Sequence, residues 1–222
     1  MGGPLNGLRV VELVGLGPGP FCGMLLADMG AEVLRVDRVA DAMALDPSTP
    51  ASNAMNRGKQ SIALDLKHPD GLATLLRLVE QADAMFEVFR PGVAERLGLG
   101  PDVCLERNPR LVYGRLTGWG QDGPYALRAG HDIDYLALAG ALEPLGRAGE
   151  KPTPPINVLA DFAGGGMLLA YGIACAVWER DRPGGAGRGQ AGSAGLCGGG
   201  AGGSGGRERR RARGHRQGPG SP

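Results

Sequence analysis

Aromatic residues make up only 5% of the 222-residue chain, although 42% apolar residues are enough for a buried core. Cysteine is equally sparse. Cys22, Cys104, Cys175 and Cys197 are widely spaced and form no C-x-x-C pair, which excludes a disulfide framework and a zinc site. Such usage suits a reducing, cytoplasmic setting, and Cys22 and Cys175, in apolar helical contexts, are expected to be inert core thiols. The opening MGGPLNGLRVVELVG has no basic region leading into an uninterrupted apolar stretch, so no secretory signal is expected. The most apolar run, Gly164–Trp178, carries no charge but falls short of the roughly 18–20 residues a membrane span needs. A buried core helix is expected there, and no membrane partner. Net charge is nearly absent, with 24 Lys and Arg against 23 Asp and Glu.

Glycine is what the chain has in excess. Of its 41 glycines, sixteen fall in residues 184–222, and that segment also holds seven Arg and one acid. Residues 1–183 then carry 17 basic and 22 acidic groups, so the neutral total averages two unlike segments. After Pro183 the only large aliphatic residue is Leu196, and a segment of that kind cannot bury a core. The expected organisation is an α/β domain over 1–183 and a disordered Gly/Arg-rich tail over 184–222. Gly/Arg-rich arms can bind nucleic acid, but this tail has no aromatic residue for base stacking, so no nucleic-acid partner is expected.

Strand-like and helical patterns alternate along the domain. Strands are predicted at Leu8–Leu13, Glu32–Asp37, Gln60–Leu66, Ala84–Phe89 and Leu111–Thr117. Helices are predicted through Met24–Met29, over Leu72–Gln81, around Pro101–Arg107, from Asp132 to Leu142, and from Asp161 or Phe162 to Arg180. Residues 40–58 read as a polar excursion. This order defines a doubly wound, Rossmann-like parallel sheet. Gly15, Gly17 and the acid Asp37 at the end of the second strand outline a dinucleotide site, but the detail departs from it. Pro20 stands where the third glycine should allow helix–strand packing, and Pro18 and Pro20 remove backbone donors a pyrophosphate needs. A tight turn that starts a helix accounts for Gly15–Pro20.

Several strings, in order, carry a resemblance. They are Leu8–Leu13 with Gly17–Pro20, Val36-Asp-Arg38, Leu64-Asp-Leu-Lys67, Phe89-Arg-Pro-Gly92, Thr117–Gln121, Gly130-His-Asp-Ile-Asp-Tyr135 and Asp161–Gly166. Over residues 4–190 the chain resembles the α-methylacyl-CoA racemase branch of the family III CoA-transferase superfamily. The resemblance implies the large CoA-binding domain of that fold and an interlocked homodimer. It implies no metal and no cofactor beyond the CoA of the acyl-CoA substrate. It places the two proton-exchange groups at His131 and Asp161. CoA contacts fall at Arg38, Leu64, Asp65, Leu66, Lys67 and Arg90, and further binding at Gly130, Asp132, Ile133, Asp134 and Tyr135.

The chemistry agrees with those residue types. Racemising a 2-methylacyl thioester removes the α-proton and returns one to the opposite face of a flat enolate, which needs two proton carriers. By residue pattern alone, His131 could be an ordinary helix-start residue and Asp161 an N-cap. Gly164–Gly166 could expose helix-start N–H groups to the enolate oxygen, or simply permit close helix packing. Arg38, Lys67 and Arg90 each follow a strand and are expected to line one rim for the phosphates of CoA; solvated surface charge is the alternative. Transfer of CoA between carboxylic acids, with Asp161 as nucleophile, is the competing activity, and His131 discriminates, because transfer needs no second proton carrier. A non-catalytic fragment is the third possibility. Where the resemblance implies an apolar strand and further helices beyond Gly187–Gln190, the chain turns to Gly, Arg, Ala, Pro and Ser. That vocabulary is what GC-rich codons give out of frame, and a frameshift near Gln190 is expected. The resemblance further implies a later Glu that pairs with His131 and a second domain that closes the site. Poor solubility and little turnover are therefore expected of the chain as written.

Overall fold

A computed structural model describes residues 2–43, 54–183 and 189–193. The first strand, β1, spans Arg9–Leu13, followed by α1 (Pro18–Asp28), β2 (Glu32–Asp37) and the short α2 (Val39–Met43). A 3₁₀ turn at Ala54–Asn56 leads into β3 (Lys59–Ala63), α3 (Pro69–Gln81), β4 (Ala84–Glu87), α4 (Val93–Arg96) and α5 (Pro101–Arg107). Then come β5 (Val112–Leu116) and α6 (Asp132–Leu138), a π-helical stretch over Val158–Met167 that continues directly into α7 (Leu168–Asp181), and β6 (Gly189–Ser193).

All six strands are parallel, in the order β3-β2-β1-β4-β5-β6. The chain thus winds outward from β1 to β3, then returns to place β4 on the other side of β1. Strands buried on both faces explain the near-continuous apolar run of β1 and β4. One core layer joins Val10, Val33, Phe86 and Val112 to Cys22 and Leu26 of α1 and to Leu169 and Ile173 of α7. The opposite layer joins Val11, Leu13, Val36, Met85 and Tyr113 to α3 and α5. Glu12 breaks the apolar run of β1, and its Oε2 meets Lys59 Nζ at 2.6 Å with both side chains buried. The same ammonium donates to the Pro20 carbonyl at 2.9 Å, tying the first turn of α1 to β3.

The fold agrees with the doubly wound expectation, and the differences have local causes. The helix α1 starts at Pro18 rather than Met24, because proline supplies the φ that a first helical turn requires. Within the segment expected to be a disordered tail, Gly189–Ser193 pairs with Val112–Leu116 as a sixth strand, since backbone pairing needs no large side chain. The remainder of the expected disordered tail, and the expected frameshift, lie outside the described residues apart from this strand. Cys22 and Cys104 are buried, and burial pushes both thiols up, Cys104 to about 12. Cys175 is exposed, not a core thiol. Apolar residues run around α7, but only the face carrying Leu169 and Ile173 is buried against the sheet. With the π-helical stretch, α7 forms one helix of 24 residues, long and apolar enough by length and composition to cross a membrane, and longer than the Gly164–Trp178 run alone.

Candidate active site

The sheet order decides where a site can form. Where strand order reverses, loops leave the carboxyl ends of neighbouring strands in opposite directions and open a crevice. Here that point lies between β1 and β4. A cavity of about 550 Å³ occupies it, lined by Gly15–Pro18 after β1 and Val88–Pro91 after β4. Its other walls are Leu116–Trp119 after β5, Arg128–His131 and Tyr135 at the start of α6, and Asn157, Ala160, Asp161 and Gly165 of the π-helical stretch. His131 and Asp161 therefore share one cavity, with Arg90, Gly130 and Tyr135.

The glycines of the first turn serve close approach. A Cβ at Gly15 would collide with Val88, and one at Gly17 would stand 3.5 Å from Asp161 Oδ2. Gly17, at φ 61, is in the left-handed region that glycine enters without steric cost. Pro18 is the first helical residue, so the turn carries a tight helix start, as the prolines required.

The two ordinary readings of the pair fare differently. His131 does stand at a helix start: it is the N-cap residue of α6, and its backbone N–H donates to Asp134 Oδ2 at 2.9 Å. The imidazole is 83% exposed, with Nδ1 3.6 Å from Asp134 Oδ2. Asp161 does not cap its helix, which begins three residues earlier at Val158 behind Asn157. Its carboxyl is half-buried and makes no hydrogen bond with the described residues. Burial, reinforced by the Asp132 carboxylate and opposed by His131, holds it above the usual carboxylate range. Just ahead of this helix Ile156 has φ 59, a strained backbone for a β-branched residue.

Of the two readings of Gly164–Gly166, the same early helix start favours close packing over an oxyanion site. These glycines lie in the later half of the π-helical stretch, beyond the leading N–H groups that lack intrahelical partners. Gly166 instead packs on α1, where a Cβ would meet Pro18 O, Phe21 and Cys22. Close helix packing is their role, and Phe21 stacks on Phe162 at 4.8 Å across the same seam.

A second cavity, about 900 Å³, lies beyond β1 over the carboxyl ends of β2 and β3. Arg38, Leu64, Asp65, Leu66 and Lys67 all line it, with Phe89 shared between the two cavities. The expected single rim of Arg38, Lys67 and Arg90 is thus divided. Arg90 follows β4, and β1 separates β4 from β2 in the sheet, so successive strands in sequence are not successive in space. Ile133 and Asp134 line neither cavity: Ile133 is exposed and Asp134 holds the start of α6. Asp132 lines neither as well, but is buried, and its Oδ2 accepts the N–H groups of Ala160 at 2.7 Å and Asp161 at 2.8 Å. Sequence reasoning passed over Arg128, Trp119 and Asn157, which sit in irregular loops without periodic signal. It also passed over the Glu12–Lys59 pair, whose trace is a lone acid within an apolar strand. Among the described residues no cluster of three or more His, Cys, Asp or Glu could hold a metal ion.

An open parallel sheet with His131 and Asp161 lining one cavity at its switch point defines a doubly wound α/β protein. The family model for CoA-transferase family III matches residues 5–199, past Gln190, and the chain belongs to that family. It is 53% identical to alpha-methylacyl-CoA racemase of Mus musculus over 186 residues, 84% of this chain and 46% of the relative. Identity to the Homo sapiens racemase is 52% over 180 residues, 81% and 45% of the two chains. A crystal structure of a CAIB/BAIF family protein from Brucella suis superposes with a TM-score of 0.77 at 32% identity, covering 89% of this chain and 54% of the other. The chain spans about half the length of the curated relatives it matches.

Proposed function

We propose that this chain carries the proton-exchange and CoA-binding half of an isomerase that racemises 2-methylacyl-CoA thioesters through an enolate. The observation that carries the proposal is the pairing of His131 and Asp161 in one cavity, in a chain more than half identical to two racemases. Asp161, held above the ordinary carboxylate range, is suited to take up and return a proton near neutral pH. His131 serves the opposite face. Arg90 lies in the same cavity, while Arg38 and Lys67 flank the neighbouring one, where their charges suit the phosphates of CoA. Such a reaction calls for no metal or organic cofactor, and a homodimer in a cytoplasmic, reducing setting goes with it.

The second activity is CoA transfer, favoured by the family the chain belongs to and by the unpartnered Asp161 carboxyl, which could attack the thioester. One incubation separates the two. With a 2-methylacyl-CoA and an acceptor carboxylate in D₂O, α-deuteration above the protein-free rate with no new CoA ester supports racemisation. A new CoA ester would instead assign transfer.

A further inference from the structure

Asp132 lines neither cavity, yet it is tied to both members of the proposed pair. It follows His131 in the chain, is 3% exposed, and accepts the backbone N–H of Asp161. We propose that Asp132 is a positioning residue that fixes the Asp161 segment against the His131 segment, an inference that rests on the function proposed above for those two groups.

The helix itself creates the need. A π-helix bonds each N–H to the carbonyl five residues back, so five leading N–H groups lack intrahelical partners, one more than in an α-helix. Val158 N–H goes to the Pro155 carbonyl at 3.3 Å, and Asn157 provides no side-chain cap. Asp132 takes Ala160 and Asp161 from 28 and 29 residues away. The cap therefore comes from the element that bears His131, so the two segments cannot separate without losing it. A carboxylate is also the favoured cap at the positive end of a helix.

One oxygen satisfies both amides. The other, Oδ1, is buried without a hydrogen-bond partner, an arrangement capping does not require, since the single carbonyl oxygen of an asparagine could accept the same two bonds. What the second oxygen adds is full negative charge beside Asp161, and that charge acts with burial to raise the Asp161 carboxyl. The other charged or titratable groups at this cavity are His131 and Tyr135 of α6, Arg128 before it and Arg90 after β4. From α1 the approach is made by Gly17 and Pro18, which carry no charge.

The test needs no turnover. In the full chain with ¹³C-carboxyl-labelled Asp, the Asp161 signal is identified by its loss in Asp161→Asn and titrated by NMR. Asp132→Asn keeps an acceptor and removes the charge. It should move the Asp161 midpoint down while the Asp161 amide stays protected from hydrogen exchange. Asp132→Ala removes both, and Asp161 amide exchange should quicken roughly five- to tenfold, the ratio for a lost cap. An unmoved midpoint in Asp132→Asn, or full amide protection in Asp132→Ala, overturns the proposal. Should Asp132→Ala fail to fold, the midpoint in Asp132→Asn decides alone. Because both readouts are independent of catalysis, a wild-type chain that never deuterates an acyl-CoA would remove the proposed function without touching these two measurements.

Discussion

The two cavities flank the carboxyl end of β1 and are built in opposite ways. The larger takes most of its polar lining from two short runs, Asp37–Ala40 after β2 and Leu64–Lys67 after β3. The smaller draws on the turns after β1, β4 and β5, the start of α6 and the π-helical stretch. A wall made by a short run keeps its shape as long as that run folds. A site assembled from five segments depends on what holds them in place, here the Asp132 cap, the glycine contacts of the first turn and the Lys59–Pro20 tie. Charge and local spacing make the first kind; long-range packing makes the second.

That contrast can be broken most sharply at His131. His131→Ala should lower α-deuteration of a 2-methylacyl-CoA by about 10²–10⁴-fold, with CoA affinity held, as measured by exchange into D₂O beside calorimetric titration with CoA. Deuteration at the wild-type rate would take His131 out of the chemistry.

The next effect falls on stability. Burial raises the Glu12 carboxyl and lowers the Lys59 ammonium, each opposed by the other. Glu12→Ala strands a buried ammonium and should cost about 3–5 kcal/mol in urea unfolding. The double change Glu12→Gln with Lys59→Met should recover most of it, and a single variant as stable as wild type would show the pair to be idle.

Gly71→Ala tests the larger cavity through packing alone. A Cβ at Gly71 would strike the Asp65 carbonyl, so the Leu64–Lys67 run must shift. A loss of about 1–3 kcal/mol is expected, with weaker CoA binding and an undisturbed Asp161 titration. An altered Asp161 midpoint would show that the two cavities are coupled rather than independent.

Arg38→Ala should be milder still in stability. Its ion pair with Asp41 is largely exposed and contributes at most about 0.5 kcal/mol. CoA affinity should nonetheless fall by about tenfold through a lost charge-assisted phosphate contact. Unchanged affinity would return Arg38 to the solvated surface.

The smallest effect is a slope. Because the folded Asp161 pKa lies above the unfolded one, the native state holds more protons between the two values. The contribution of Asp161 to stability is full below the unfolded pKa and is lost as pH rises through the folded pKa. Asp161→Asn should remove that decline from the difference in urea midpoints across the range, whereas parallel curves would mean an unshifted carboxyl.

Much of this was legible beforehand. β2 falls on Glu32–Asp37 and α5 on Pro101–Arg107 as their patterns required, because short apolar runs bounded by Gly or Pro leave little choice. Arg38 and Lys67 were legible too, as cations just beyond a strand, whereas Leu64–Leu66 were read as part of a third strand that ends at Ala63. The position of Arg90 was not, because element order along the chain is silent on which strand neighbours which. Nor was the start of the Asp161 helix. Local pattern allowed Asp161 as a cap, whereas the helix starts three residues earlier and its first turn takes an acceptor 28 residues away.

Residue types and their spacing determined by themselves that this chain folds as alternating strands and helices, and that a tight Gly/Pro turn follows the first strand. Those properties are local, set by backbone sterics, hydrophobic periodicity and side-chain chemistry. Only the tertiary structure decided that β4 returns beside β1, opening the crevice in which His131 and Asp161 meet. It alone placed a buried Asp132 between them and left Cys175 on the outside of α7. Each of these depends on contacts between residues far apart in sequence, where burial and charge act through distances that the order of residues does not contain.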